Sequence, residues 1–133
     1  MSFKNEERDI QSRFQTNWGV TTPVKYDNRD FNPTPEESHV VFEIHNGDQI
    51  PISTGGVGDT LHRGIGIISI NIHTALGIGS QTGKDLADTA AAIFRAQTFS
   101  GITCRGADVK RLGESSGWFV YNVSIPFFRD ESF

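Results

Sequence analysis

The run His62–His73, HRGIGIISINIH, constrains this chain more than any other stretch. Ile68, Ile70 and Ile72 alternate with Ser69, Asn71 and His73. That period of two belongs to a strand with one face in a core and the other against a polar surface. Ile65 and Ile67 have the opposite parity, which predicts a bulge near Ile67. Such a strand needs apolar cover for its isoleucines, and two amphipathic segments can supply it.

Phe3, Ile10, Phe14 and Trp18 recur at helical spacing, so residues 3–18 are predicted to be the first helix. Ser2 is placed to cap it, Glu6 and Glu7 sit in the first turn where the dipole favours acids, and Gly19 can close it before Pro23. Leu86, Ala90, Ile93, Phe94 and Gln97 share a second helical face, which predicts a helix over 83–98 entered through a Thr82–Asp85 capping box.

The remaining elements read as strands. Val24 to Tyr26 is short, and the turn-rich segment after it carries Pro33, Pro35 and a Phe31 expected to plug into the core. Asn46-Gly47 predicts a tight hairpin between His39–Ile44 and Asp48–Ser53. Strands over 102–112 and 118–127 follow. The second points Phe119, Tyr121, Val123 and Ile125 one way and Val120, Asn122 and Ser124 the other, with Pro126 at an edge or strand end. The fold class is therefore α+β: one domain, 1–133, with a largely antiparallel mixed sheet, an N-terminal helix and a second helix packed on one face. The glycine loop 54–60 is expected to be flexible, and residues 128–133 form a C-terminal tail; if the chain assembles, both are expected to order only then.

Composition narrows the function. With 133 residues, a formal charge of −4 and no Lys/Arg cluster, the chain lacks the basic stripe that grips phosphates. The polar start MSFKNEERDIQ is unlike a secretory signal, and no apolar run approaches the ~20 residues of a membrane span. A soluble protein made in the cytoplasm is expected. Its single cysteine, Cys104, forms no internal disulfide.

No motif announces chemistry. The loop STGGVGDT could cradle an anion, but it has no Gly-Lys-Ser/Thr and leads into a strand rather than a helix. His39, His45, His62 and His73 lack the short paired spacing of a zinc site, and His73 is expected on the solvent face of its strand. Cys104 reads as a small half-buried side chain. No carboxylate pair is placed for acid–base work. The expectation is no enzyme, no metal and no cofactor, with a nucleotide- or small-ligand-binding module on the glycine loop as the alternative from a different class.

Four segments together resemble the tail terminator (tail-completion, minor tail) proteins of long-tailed bacteriophages: the strand His62–Ile72, the Gly77–Gly79 turn, LAD-x-A-x-x-IF at Leu86–Phe94 and the closing Gly117–Phe127. Upstream, Val24–Asn28 with Phe31 and Pro33 is similar to the family's short strand and loop. The resemblance spans roughly 20–127. It implies a subunit that forms a ring, typically of six copies, capping the tail tube, stopping its polymerisation and meeting the head-side connector. The partners implied are further copies of the chain, the tail tube protein and the connector. The resemblance further implies that DNA passes through without being specifically bound, that the protein contacts no membrane, and that its place is the neck end of the virion tail after assembly in the host cytoplasm. Another neck or head-closure component is the alternative within the class. Asp59, His62 and Arg63 at the loop exit, and Lys84, Asp88 and Arg95 on the second helix, are the candidate interface residues. Arg63 could reach a carboxylate across a subunit boundary.

Overall fold

The structure, a computed structural model, describes residues 3–19, 21–35, 37–52 and 60–132. The Ser2 cap, all of the glycine loop but Thr60, and Asp59 lie outside the described residues.

The elements run α1 (Phe3–Trp18), β1 (Val24–Lys25), β2 (His39–Pro51), β3 (Leu61–Ala75), α2 (Gln81–Phe94), β4 (Thr98–Phe99), β5 (Ile102–Cys104), β6 (Asp108–Ser115) and β7 (Trp118–Ser132). All seven strands form one sheet in the order β1-β2-β3-β7-β5-β4, with β6 also on β7. β1 runs parallel to β2, and every other pairing is antiparallel. Both helices lie on the same face, so the α+β class and the one-sided helical layer are as the sequence implied.

Alternation decides which face is covered. Ile68, Ile70 and Ile72 of β3 are fully buried, as are Val40 and Phe42 of β2 and Val123 and Ile125 of β7. The helices close over them. Phe14 stacks on Phe42 with ring centroids 4.7 Å apart and on Trp18 at 5.1 Å. Such pairs add about 0.5–1.5 kcal/mol each beyond their buried area. In α2 the narrow Ala87, Ala90 and Ala91 bring the helix close to the sheet.

The buried side of the first turn of α1 is not apolar. Phe3 is half exposed, and Glu6 takes the inward position. Its Oε1 accepts a bond of 2.8 Å from Arg129 Nε, while Arg129 Nη1 reaches Glu131 Oε2 at 2.6 Å. Phe3 lies over the guanidinium at 4.9 Å. Burial pushes the Glu6 carboxyl above the ordinary range, although the bond and charge of Arg129 pull it down. The strand is thereby carried past the expected end at Phe127. Residues 128–132 pair with β3, and Phe128 and Arg129 pair with β5 as well, where a tail ordering only on assembly was expected.

Other boundaries also differ from the sequence reading. Asn46-Gly47 makes no hairpin: β2 continues through it, and the register with β3 shifts between Asn46 and Gln49. Gly47 is not among the glycines with positive φ, so it lacks the backbone of a type I′ turn. The long partner β3 holds the segment extended and absorbs the extra residue as a bulge. β3 itself keeps an unbroken register with β7, so Ile65 and Ile67 simply face outward. The predicted 102–112 strand is two strands separated at 105–107, and Pro126 lies opposite that gap, inside β7 rather than at an edge or end. Its carbonyl accepts from the Arg105 N–H at 2.8 Å, while its missing N–H faces the place where no ladder bond is made. α2 starts at Gln81 after Ser80, whose side chain makes no capping bond. It stops at Phe94, leaving Gln97 beyond it. Phe31 lies beside His39, with ring centroids 5.4 Å apart, and not in the core.

Gly83 in the first turn of α2 lies against the Tyr121 ring, and an added Cβ would overlap its edge. Alanine in place of a helical glycine ordinarily gains about 1 kcal/mol, while overpacking costs about 1–3 kcal/mol. Gly83→Ala is therefore expected to lower the urea midpoint. A raised midpoint would show that α2 does not approach β7 this closely.

Candidate assembly surfaces

Opposite the helices, the sheet has a second face that no helix among the described residues covers. Its centre is polar and ordered. Asn122 Nδ2 on β7 donates to Ser69 Oγ at 3.0 Å and to Asn71 Oδ1 at 2.7 Å on β3, and Ser124 Oγ donates to Asn122 Oδ1 at 2.6 Å. Direct cross-strand pairing places these side chains side by side.

One end of this face is aromatic. His39 and His73 occupy paired positions and stack with centroids 4.5 Å apart and planes 6° apart. Trp118 stands edge-on to both, and Phe31 lies beside His39. His73, expected toward solvent, is thus half-buried with its Nδ1 enclosed. A cleft of about 630 Å³ between Pro33, Pro35, Leu76, Ile78 and Trp118 adjoins this cluster. Sequence reasoning missed the histidine pair because a hairpin at Asn46-Gly47 hides the β2–β3 register that creates it.

The other end is mixed. Ile65 and Ile67 are 49% and 43% exposed beside a groove of about 510 Å³ that Arg105 and Pro126 also line. Here Arg63, expected to cross a subunit boundary, is held by its own chain. Its Nε and Nη2 donate to the two Asp130 carboxylate oxygens at 2.8 and 3.1 Å, and its guanidinium stacks 4.4 Å from the Phe128 ring. That bond is the main cause holding the Asp130 carboxyl below its ordinary range. His62 places Nδ1 3.2 Å from the Thr60 carbonyl. Lys84 and Asp88 are exposed on the outer side of α2, and Arg95 sits at its C-cap, so the five candidates among the described residues are not gathered into one site.

The reactive residue types are dispersed as well. Among the described residues no group of three His, Cys, Asp or Glu is placed to hold a metal ion. Cys104 is 3% exposed, and burial pushes its thiol up to about 11, so it stays protonated at neutral pH. The ends of the glycine loop are joined by the Ile52 N–H to Leu61 carbonyl bond of 2.8 Å, so the loop connects neighbouring antiparallel strands. No helix among the described residues is long and apolar enough to cross a membrane.

The histidine stack makes stability depend on pH. Burial lowers both imidazoles below the ordinary value, and the adjacent His39 helps hold His73 at about 4. The unfolded chain therefore takes up protons first. The stability is complete above about pH 6.5 and is lost as pH falls toward 4, on the order of 3 kcal/mol for His73. Tm is expected to fall across that window in the native chain and less steeply in His73→Phe. Equal slopes in the two proteins would remove the stack from the account.

Among the described residues the geometry is that of a stiff sheet covered on one side, with an ordered open face and no assembled group of three metal-ligating side chains. Eight chains of solved structures match this fold. One of them is 17% identical, with a TM-score of 0.65 over 93% of this chain and 94% of its own, a likeness that shows the fold alone. No curated protein matches the sequence. The model of the family described as phage tail terminator protein matches residues 9–127. That span takes in α1 from Asp9 onward, α2 and the sheet as far as Phe127 of β7, so the chain belongs to the phage tail terminator family and is a structural component of the virion tail.

Proposed function

We propose that this subunit forms a ring, six copies in the family's usual arrangement, that caps the tail tube, stops its growth and presents a surface to the head-side connector. The observation that carries the reading is the family match across residues 9–127. The architecture supports it, because such a role needs complementary surfaces and no reactive group. A subunit that contacts its neighbour head to tail closes into a ring when the rotation permits. Six copies at −4 each carry about −24, a balance suited to a channel through which DNA slides. The remaining partners are the tail tube protein and the connector.

Light scattering across a concentration series, with and without magnesium, and negative-stain images of the same samples test the ring. Particles of about six subunits with a central hole are expected, and they should shorten tail tubes when added during tube polymerisation. A strict monomer throughout the series overturns ring formation by the free subunit. Rings that leave tube length unchanged favour the alternative of another neck component.

A further inference from the structure

We infer that neighbouring copies join through two edges of this sheet, the outer edge of β2 in one copy against β6 in the next; the inference rests on the ring reading above. The strand order leaves β2 and β6 as opposite margins of a four-stranded block, β2-β3-β7-β6. β1 covers β2 only at Val40 and Val41, and among the described residues no strand pairs with the outer edge of β2 from Glu43 to Pro51. No described strand lies outside β6.

Direction and charge both fit this pairing. Four antiparallel strands per copy mean that β6 and the next copy's β2 run in opposite directions when copies are related by a ring rotation, so the alternation continues across the boundary. The β2 edge carries Glu43 and the exposed Asp48, and the middle of β6 carries the exposed Lys110 and Arg111. Exposed apolar side chains flank both sets, Ile50 at 53% on β2 and Leu112 at 57% on β6. Register supplies a third constraint. Asp108 of β6 is level with Glu43 of β2 through Ser124 and Ser69, so β6 lies beside the end of the block where β1 already occupies β2. The free stretch of β2 begins where β6 ends, and the copies must meet staggered along the strands, the offset that a sheet closed into a curved wall requires.

Both edges are also guarded. β2 is bulged between Asn46 and Gln49 and carries Pro51, and β6 is irregular between Arg111 and Gly113. These features deny chance partners a long flat template and leave side-chain complementarity to select the mate.

Charge reversal with mixing tests the edges. Lys110→Glu/Arg111→Glu makes β6 acidic, and Glu43→Lys/Asp48→Lys makes β2 basic. Each variant alone is expected to sediment as a monomer at concentrations at least about tenfold above those that assemble the native chain. Their equimolar mixture should restore the native particle, because each acidic edge then meets a basic one. Far-UV circular dichroism and Tm establish that the variants are folded; if a reversal unfolds the chain, Lys110→Gln/Arg111→Gln with a salt titration of assembly replaces it. Variants that assemble like the native chain place the contact elsewhere and leave the ring standing, and a mixture that stays monomeric overturns the edge pairing in the same way. A mixed dimer that does not grow overturns the head-to-tail arrangement. A native chain that never assembles removes both the edges and the self-forming ring.

Discussion

Fifteen consecutive residues of β3 pair with fifteen of β7, and everything else in the molecule is arranged around that ladder. Its register allows one solution. With Ile68 opposite Ile125 and Ile70 opposite Val123, the apolar sets of both strands turn to the same side. A slip of one residue would expose them and bury Ser69, Asn71, Asn122 and Ser124. The helices then have one place to go. α1 and α2 cover the isoleucines, and the opposite face keeps the asparagine–serine bonds that tie the strands together.

The same ladder explains an otherwise costly feature. Taking Arg129 and Glu6 out of water is worthwhile only if the geometry is good and most donors are occupied. β7 delivers Arg129 beneath the first turn of α1, where Nε finds Glu6, Nη1 finds Glu131 and the Phe3 ring covers the plane. Nη2 and Glu6 Oε2 stay buried without a bond among the described residues. A buried ion pair of this kind adds little net stability, but it accepts only one docking position for the helix.

Much of this was legible in the sequence, for identifiable reasons. α1 was read to its ends because Ile10, Phe14 and Trp18 carry the period and Gly19 closes it at φ +61°. The two faces of β3 and β7 were read from alternation. What failed was local turn chemistry overruled by long-range pairing: Asn46-Gly47 is a turn signal only when no fifteen-residue neighbour holds it straight. The break between β5 and β6 was hidden for a similar reason, since Pro126, which imposes it, lies on a different strand. At the candidate site, the sequence marks Arg63 as a residue able to clamp a carboxylate, and within the chain it clamps Asp130. Periodicity could not find Glu6, because a buried charge looks like a defect in an apolar stripe until its partner is known.

The position of β7 has a consequence for the order in which the molecule becomes complete. It occupies the middle of the sheet yet is the last strand in the chain, about 40 residues beyond β3. While the polypeptide is being made, β2 and β3 can pair early, but the β4–β5 pair and β6 cannot join them until β7 arrives in between. The margins of the sheet are therefore finished by its centre. On the edge pairing inferred above, a partly made chain would have no β6 edge to offer, and a fragment would not be taken into a particle in place of a whole subunit.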